Sequence, residues 1–482
     1  MKKLNSVLLF AAVFLFSFCS EKKDEIVLLP ISQAALSDTS SVFYTDFEEL
    51  KGDVSTLPIG VFDSGTGGLT VLEKFLTLDT FDNITGNFDS DGILDFAGEK
   101  FIYLADDANM PYGDYKNLGK ADFLRELIVK DALFLLGNRF FINPIDDTKN
   151  GIKERVKIIV IACNTATAYG LEDVQQLLEQ SDSKVKVIGV INAGVKALLD
   201  RLDKNETNCV GVLATPGTIS SGAYEREILR LCRERGFKNK VNVINQSGSG
   251  FADAVDGKEE IVSKDASSVR DSYKGPKVGN KPGDINLKLM SLYNFDKSNN
   301  RLLYTVKNGR YVDVQLNSAA NYARFHLVSL IDNFRRNFPD EELKSVILGC
   351  THYPFLINTL EEVIVEMRKN GYNIAKDFFF IDPAQYTAQE CYSLLREDNN
   401  LALSLKRTKV TGYISVPSID VKYSDLEING SLKREYKYGR VSELNFLSTK
   451  FVPFSDRYID DETTMRIETL LPVSYSYIKN SL

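Results

Sequence analysis

The fold is decided by the stretch Ser345-Val346-Ile347-Leu348-Gly349-Cys350-Thr351-His352-Tyr353-Pro354. An apolar run rich in β-branched residues ends at a glycine, and a cysteine, a threonine and one of the chain's two histidines follow it. Pro354 then opens an apolar pattern with helical spacing, and proline suits a first helical turn because it has no N–H group to donate. The stretch therefore predicts a strand, a sharp turn and a helix. This puts Cys350 at the carboxyl end of a strand, where open α/β sheets bind ligands.

A second stretch has the same design. Residues 157–165 are again an apolar run, which ends in a small residue, Cys163, Asn164 and Thr165, and a helical pattern follows over 166–178. Two such turns predict two thiols that face each other across a cleft. Each thiol would lie near a helix N-terminus, which lowers the pKa of a thiol toward the thiolate. An opposed thiolate and thiol can remove a proton from one face of a carbon and return one to the other face.

Composition bounds the architecture. The chain has 482 residues, a formal net charge of −8 and 44% apolar residues, which suffices for a large core and predicts two domains or more. The acidic balance, without a basic stripe, argues against a nucleic-acid partner. Strand patterns at 187–191 and 210–214 are each followed by a helical pattern. This alternation predicts the α/β class, with a parallel sheet covered by helices on both faces.

The first residues have the pattern of a targeting segment. Lys2 and Lys3 precede an apolar run at 7–18 that is too short to span a bilayer as a stable helix, and Cys19 ends that run. This resembles a bacterial lipoprotein signal, in which Cys19 would be lipidated and become the mature N-terminus, with a polar tether over 20–56. The alternatives are an uncleaved N-terminal anchor and a plain signal peptide. Each predicts export, and we expect a membrane-anchored lipoprotein of the cell envelope, on the periplasmic or outer-membrane side.

A glycine-rich turn opens the folded part of the chain. From residue 58 the pattern is a buried strand, Asp63, a run of glycines with Ser64 and Thr66, and a helix. Glycines let backbone N–H groups approach an anion at a helix N-terminus. The turn is neither a dinucleotide fingerprint nor a Walker loop, because no Gly-Lys-Ser/Thr closes it. Taken alone, the stretch is as consistent with a tight turn as with a binding site.

An acidic stretch over 87–95 fits part of a calcium loop. It has oxygen-bearing side chains at alternate positions, a glycine at the sixth position and an acid at the ninth. The candidate ligands of a structural calcium are Asn87, Asp89, Asp91, Ile93 and Asp95. The alternative interpretation is a solvated acidic turn.

Three motifs together resemble glutamate racemase, of the cofactor-independent aspartate/glutamate racemase family. They are Val61-Phe62-Asp63-Ser64-Gly65-Thr66-Gly67-Gly68, Ala162-Cys163-Asn164-Thr165-Ala166 and Leu348-Gly349-Cys350-Thr351-His352-Tyr353-Pro354. The match runs in order from about residue 58 to about residue 410. The resemblance implies two pseudo-symmetric, doubly wound parallel-sheet domains with the active site in the cleft between them.

The resemblance also implies a division of the chain. Residues 1–19 are the predicted signal and 20–56 the tether. Domain A would comprise 57–190 plus 378–410, and domain B would comprise 191–377, with an insertion at about 262–315. Residues 411–482 outrun the family and form an extension of unknown role. Within the insertion, Asn308-Gly309 between two strand patterns predicts a hairpin.

Residue roles follow from the same resemblance. Cys163 and Cys350 would be the paired acid and base, Asp63 and His352 would assist the flanking thiols, and Asp256 is the nearest equivalent of a glutamate that assists one thiol in the family. The substrate contacts would come from Asp63, Ser64, Tyr112, Gly113, Asn164, Thr165, Thr351 and His352. Asn109 stands where the family usually carries an arginine, and Asp107 and Asn192 also depart from its pattern.

The function implied is the interconversion of L- and D-glutamate by proton transfer at Cα, which would supply D-glutamate for peptidoglycan. No cofactor is expected for catalysis, because no signature marks a pyridoxal lysine and two histidines are too few for a typical zinc site. The alternatives are a racemase of aspartate or another amino acid, and a binding lipoprotein with the racemase fold and altered chemistry. The expected partners are an amino-acid substrate and, through the lipid anchor, a membrane; a homodimer stays an open option.

Overall fold

The structure is a computed structural model that describes residues 28–402 and 407–479. The predicted signal and its lipidation site, Cys19, lie outside these residues. Within the two described ranges, no helix is both long enough and apolar enough to cross a membrane.

The described residues form fourteen strands and sixteen α-helices. The strands are β1 (Ile59–Asp63), β2 (Lys100–Ala105), β3 (Arg139–Phe140), β4 (Gly151–Ile152), β5 (Ile158–Ile161), β6 (Lys186–Gly189), β7 (Asn208–Ala214), β8 (Val241–Ser247), β9 (Leu302–Lys307), β10 (Arg310–Leu316), β11 (Leu343–Gly349), β12 (Ile374–Ile381), β13 (Lys409–Pro417) and β14 (Thr449–Pro453). The helices are α1 (Pro30–Ser37), α2 (Leu69–Thr77), α3 (Gly113–Asn117), α4 (Ala121–Leu136), α5 (Asn164–Gln180), α6 (Val190–Asp200), α7 (Pro216–Ser221), α8 (Ala223–Glu234), α9 (Phe251–Val255), α10 (Met290–Tyr293), α11 (Ala319–Asn337), α12 (Ile357–Lys369), α13 (Pro383–Glu397), α14 (Arg434–Gly439), α15 (Asp461–Leu470) and α16 (Pro472–Lys479).

The first domain is built on a six-stranded sheet in the order β14-β13-β2-β1-β5-β6. β1 lies parallel to β2 and β5, with Val61 opposite Tyr103 on one side and Val160 on the other. Alternate residues of β1 face opposite ways: Val61 packs into one hydrophobic cluster and Phe62 into the other. Burial on both faces explains why these strands are continuous apolar runs without polar alternation.

The second domain is built on a four-stranded parallel sheet in the order β12-β11-β7-β8. Gly349, at the end of β11, lies opposite Ala214, at the end of β7. Val346 and Ile347 face different hydrophobic clusters, so helices cover both faces of this sheet as well. The predicted fold class, α/β with two doubly wound parallel sheets, is confirmed.

The division between the sheets differs from the predicted boundaries. β12 pairs with β11 and extends the second sheet to Ile381, past residue 377. The chain returns to the first domain at Asp382, which caps α13, and α13 packs through Ala388 and Leu395 on the first sheet's cluster. Beyond residue 411 the chain continues β13 and adds β14, so the extension is part of the first domain's sheet. These pairings depend on contacts between distant segments, which local patterns do not reveal.

The insertion contains the predicted hairpin. β9 and β10 pair antiparallel around Asn308 and Gly309, which both have positive φ (51° and 73°), as a two-residue hairpin turn requires. The insertion also contributes Leu302, Val314 and Leu316 to the second domain's core. It is therefore anchored to the second domain by apolar packing.

The acidic stretch 87–95 forms an irregular loop in which two carboxylates accept backbone N–H groups. Asp95 accepts from Thr80 and Phe81 at 2.8 and 3.1 Å, and Asp91 accepts from Asn83 at 2.9 Å. Across residues 28–402 and 407–479, no three His, Cys, Asp or Glu side chains converge as metal ligands. The acids among the predicted ligands thus do not form a cage in this conformation, and the calcium loop stays a prediction.

Candidate active site

A cavity of about 330 Å³ lies where the carboxyl ends of the two sheets meet. It is at the small end of the range for ligand pockets, about 300–1,000 Å³. The cavity is lined by every predicted catalytic and substrate-contact residue: Asp63, Ser64, Tyr112, Gly113, Cys163, Asn164, Thr165, Asp256, Cys350, Thr351 and His352. Neither Cys163 nor Cys350 is in a disulfide. Motifs up to 289 residues apart in sequence thus converge because each ends a parallel strand.

Cys163 caps the N-terminus of α5. Its Sγ accepts the Ala166 N–H at 3.4 Å, and the thiol donates to Ser64 Oγ at 3.6 Å. Burial of the thiol, together with the nearby charge of Asp63, raises the pKa of Cys163 to about 12. The prediction of a lowered pKa was therefore wrong for Cys163. The helix N-terminus does favour the thiolate, but desolvation and a neighbouring carboxylate outweigh it.

The backbone of the glycine-rich turn after β1 binds the carboxylate of Asp63, the last residue of that strand. Asp63 Oδ2 accepts N–H groups from Gly65 at 3.2 Å and from Gly68 at 2.8 Å. Burial nevertheless raises the pKa of Asp63 above its usual value. The predicted anion cradle of this turn is thus occupied by an internal anion.

One glycine of the turn permits the close approach of the two domains. A Cβ at Gly67 would lie 2.7 Å from His352 Cε1 and 2.8 Å from Thr351 Oγ1. Any larger residue would push apart the first and third motifs. The absence of a side chain at this position is therefore a condition for assembling the cavity.

Cys350 has a different environment, which a histidine dominates. His352 Nδ1 lies 3.6 Å from Cys350 Sγ, and His352 Nε2 lies 3.1 Å from Asp256 Oδ1. Burial alone would lower the pKa of His352, but the charges of Asp256 and Cys350 outweigh it and raise the pKa well above its usual value. The ring of His352 therefore keeps its proton more firmly than a free histidine does, with one nitrogen beside the sulfur and the other beside the carboxylate.

Asp256 is held as an anion. Burial alone would raise the pKa of Asp256, but the charges of His352 and Arg466 outweigh it and lower the pKa to about 2. The residue follows α9 and comes from the second domain, as Cys350 and His352 do. It contacts His352 and acts on the sulfur only through that ring. Its catalytic role stays a prediction, now with a defined geometry.

The backbone and the side chain of Tyr112 have different functions. Its hydroxyl oxygen lies between the buried carboxyl groups of Asp106 and Asp131, 2.5 and 2.7 Å from an oxygen of each. The ring is therefore directed into the first domain, and Tyr112 and Gly113 offer mainly backbone to the cavity. Gly113 also lies against Gly217 of the second domain, where an added Cβ on Gly217 would be 2.6 Å from Gly113 Cα.

Sequence reasoning missed several residues that line the cavity. Thr215 ends β7 and caps α7, with Pro216 in the first helical turn, the same strand-to-helix signature that marked the other motifs. That signature was sufficient to find Thr215. Lys258, the one lysine or arginine among the cavity residues of the described chain, follows a glycine in an irregular loop, and no local pattern marks it.

The C-terminal extension supplies charges close to the cavity. Arg440 donates to Asn109 Oδ1 at 2.5 Å, and Asn109 in turn donates to both carboxylate oxygens of Asp106. Lys437, on α14, donates to the carbonyl of Met110, which lines the cavity, at 2.6 Å. A distant arginine thus reaches the position at which Asn109 departs from the racemase pattern.

Comparisons with known proteins agree with this geometry. Residues 145–260 match the family model described as Asp/Glu/Hydantoin racemase. The chain is 26% identical over 345 residues to a glutamate racemase of Lysinibacillus sphaericus, which covers 72% of this chain and 84% of that protein. It is 24% identical over 398 residues to that of Carboxydothermus hydrogenoformans, covering 82% and 98%.

Solved structures of similar proteins include a glutamate racemase isoform from Bacillus anthracis. It is 22% identical, covers 74% of this chain and 88% of its own, and has a TM-score of 0.43. Glutamate racemase from Francisella tularensis in complex with D-glutamate is 21% identical, covers 82% and 95%, and has a TM-score of 0.39.

The fold and the site define a two-domain α/β protein with one cysteine from each domain in a shared cleft. Residues 145–260 match an Asp/Glu racemase family model, and the similarity to glutamate racemases over most of the chain indicates an isomerase of the racemase class. The resemblance to glutamate racemase, stated from three sequence motifs, is confirmed.

Proposed function

We propose that this protein is a cofactor-independent glutamate racemase that interconverts L- and D-glutamate by two-base proton transfer at Cα. The observation that carries the proposal is the pair of free thiols, Cys163 and Cys350, that come from different domains and line one cavity. Two thiols can supply both acid and base, so the reaction needs no further group for proton transfer.

The two thiols have different environments. Cys163, with its pKa raised to about 12, is a thiol at rest, whereas the ring of His352 lies 3.6 Å from the sulfur of Cys350. A substrate whose α-proton faces Cys350 loses that proton to the sulfur of Cys350, which acts as the base, and becomes a carbanion. Cys163 then gives its proton to the opposite face, which completes inversion. The other hand of the substrate requires the reverse assignment, with Cys163 as the base.

Binding of an acidic amino acid is supported by the polar lining of the cavity. Asn164, Thr165 and Thr351 offer amide, hydroxyl and backbone groups for a carboxylate. Tyr224 donates to Asn164 Oδ1 at 2.6 Å and so fixes that side-chain amide. Lys258 supplies a cation for a second carboxylate, which favours a dicarboxylic substrate.

The carbanion requires stabilisation that only the protein can provide. Both cysteines are only 7% exposed, so the reacting carbon is largely shielded from water and charges interact strongly there. The backbone groups at the ends of β1, β5 and β11 are fixed before the substrate arrives. They therefore stabilise developing charge without reorganisation.

The cellular role that we propose is the supply of D-glutamate for peptidoglycan, from a site tethered to the cell envelope through lipidated Cys19. It is supported by the similarity to glutamate racemases and by the lysines, apolar run and cysteine of residues 1–19. Mass spectrometry of the mature protein tests the tether: a diacylglycerol mass on Cys19 supports it, and an unmodified residue there refutes it.

The test of the activity is deuterium wash-in. Full-length protein is incubated in D₂O with L- or D-glutamate, and NMR follows loss of the Cα proton while chiral chromatography follows inversion. We expect exchange and inversion with both hands. Faster turnover of aspartate would identify a racemase of another acid. No exchange with any amino acid would refute racemisation and favour the binding lipoprotein.

A further inference from the structure

The last two helices of the chain are anchored to the first domain. Ile467 on α15 and Ile478 on α16 are buried in the hydrophobic cluster that also contains Val61 of β1. The N–H of Ser474 at the start of α16 donates to the carboxylate of Glu73 on α2, at 2.6 Å. The position of α15 is therefore set by the first domain.

One side chain of α15 reaches across to the second domain. Arg466 Nη2 lies 2.9 Å from Asp256 Oδ1, and Arg466 Nη1 donates to the Asp256 carbonyl, also at 2.9 Å. A single guanidinium thus holds the backbone and the carboxylate of one residue. The side chains of Arg466 and Asp256 are only 16% and 13% exposed, so solvent screens this pair less than a surface ion pair.

The ion pair extends into the active site. Arg466 contacts Asp256, Asp256 contacts His352, and His352 contacts Cys350, each within 3.6 Å. The same end of α15 lies against Gly67 and His352 beside the cavity. On the other side of the cleft, Asp63 is instead held by backbone N–H groups of its own turn.

We propose that Arg466 is a positioning residue for the Cys350 half of the reaction, so that the C-terminal extension completes the active site. The guanidinium fixes the direction of the Asp256 carboxylate, and the carboxylate fixes the ring of His352 against the sulfur. Because Arg466 is anchored to the first domain and Asp256 belongs to the second, the contact also ties the two walls of the cleft together. This inference rests on the proposed racemase function.

The proposal has a kinetic consequence that a general loss of stability would not produce. L- and D-amino acids have equal free energies in solution, so kcat/KM for the two directions must stay equal in any variant. Weakening Cys350 alone changes which proton transfer limits the rate. For the enantiomer that gives its α-proton to Cys350, removal of that proton becomes the slow step, so the α-deuterium isotope effect on kcat/KM rises. For the enantiomer that gives its α-proton to Cys163, reprotonation by Cys350 becomes the slow step, so the isotope effect falls.

The experiment compares full-length wild type, Arg466→Gln, Arg466→Lys and a matched control, Arg457→Gln. Arg457 lies in the same extension, and its hydrogen-bond partner is the neighbouring Tyr458. Racemisation of α-protonated and α-deuterated L- and D-glutamate is measured, with thermal unfolding as the check on folding. We expect Arg466→Gln to lower kcat/KM roughly 10- to 100-fold, as loss of a charged hydrogen bond does. The two isotope effects should move in opposite directions.

Arg466→Lys should restore part of the rate, because a lysine keeps the charge but not the bidentate grip. If Arg466→Gln unfolds, Arg466→Lys replaces it in the test. The two isotope effects of Arg466→Lys must then move in opposite directions, by smaller amounts than expected for Arg466→Gln. The inference is overturned if both Arg466 variants behave like Arg457→Gln, or if the rate falls while both isotope effects stay at wild-type values. Wild-type protein without exchange would refute the racemase function itself, which is a separate outcome.

Discussion

The two walls of the cleft hold chemically equivalent thiols in unequal ways. Cys163, at the end of β5, is held by groups close in sequence or in its own sheet: the Ala166 N–H, Ser64 and Asp63. Cys350, at the end of β11, is contacted by His352. His352 is contacted by Asp256, and Asp256 by Arg466 from the far end of the chain. One wall is a hydrogen-bonded turn, and the other is a chain of alternating charges.

The difference shows how a symmetric reaction can run on an asymmetric site. A two-base racemase needs one thiolate and one thiol at rest, and identical environments would leave that choice undecided. Here burial and Asp63 keep Cys163 protonated, whereas the ring of His352 lies beside the sulfur of Cys350. The site is therefore asymmetric before the substrate binds.

The largest expected effects come from removing each thiol. Cys163→Ala and Cys350→Ala should each lower racemisation by at least about 1,000-fold, because inversion needs both an acid and a base. In D₂O, Cys163→Ala should still exchange the α-proton of one enantiomer, the one whose α-proton faces Cys350. Cys350→Ala should exchange the other enantiomer slowly, because the raised pKa of Cys163 keeps that thiol protonated. Cys232→Ala, on α8 outside the cavity, is the control that should keep full turnover. Racemisation by either single active-site variant would break the two-base assignment.

The charge on the second wall can be removed without touching a cysteine. Asp256→Asn takes away the anion that raises the pKa of His352, so the ring loses its proton more readily. We expect iodoacetamide alkylation of Cys350 at neutral pH to become slower, because the contact between the ring and the sulfur then lacks its charge. Mass spectrometry separates this rate from that of Cys163, which should not change. An equal change at both cysteines would contradict the separation of the two walls.

The second wall also carries the cavity's single lysine. Lys258→Met should raise KM for glutamate about tenfold while kcat changes little, because binding of the side-chain carboxylate is lost before and during the reaction alike. Steady-state kinetics in both directions measure the split. Lys264→Met is the matched control, since Lys264 is exposed and pairs with Glu462 outside the cavity. A fall in kcat at unchanged KM would instead assign Lys258 to the transition state.

How far the sequence anticipates this site depends on whether the contacts are local. The strand-to-turn motifs around Asp63, Cys163 and Cys350 predicted residues that all line one cavity, because parallel strands deliver their carboxyl ends to the same edge. The pKa of Cys163 could not be read in this way, since it depends on the burial of the thiol in the fold and on the charge of Asp63, which is distant in sequence. Arg466 left no signal either: 210 residues separate it from Asp256, and an arginine on an amphipathic helix normally predicts a solvated face.

The domain boundaries show the same difference between local and long-range contacts. Alternating strand and helix patterns predicted the α/β class, but the predicted boundary at residue 377 cuts through β12, and most of β13 was left in an extension of unknown role, because strand pairing is a long-range property. The Asn308-Gly309 hairpin was predicted correctly, since its turn needs positive φ at two adjacent residues and this sequence supplies it.

The smallest expected effect concerns the second histidine, which contrasts with His352. His326, on α11, contacts a backbone carbonyl where His352 contacts a carboxylate: its Nε2 lies 3.1 Å from the carbonyl oxygen of Ser249. Burial lowers the pKa of His326 to about 4. The unfolded chain, with a pKa of about 6.5, then binds more protons than the folded one, so stability falls as pH drops from about 6.5 to about 4. Between about pH 7 and pH 5 this amounts to roughly 2 kcal/mol. Denaturant unfolding at both pH values should show that loss in wild type and not in His326→Gln. An equal pH dependence in the two proteins would mean that folding leaves the pKa of His326 near its value in the unfolded chain.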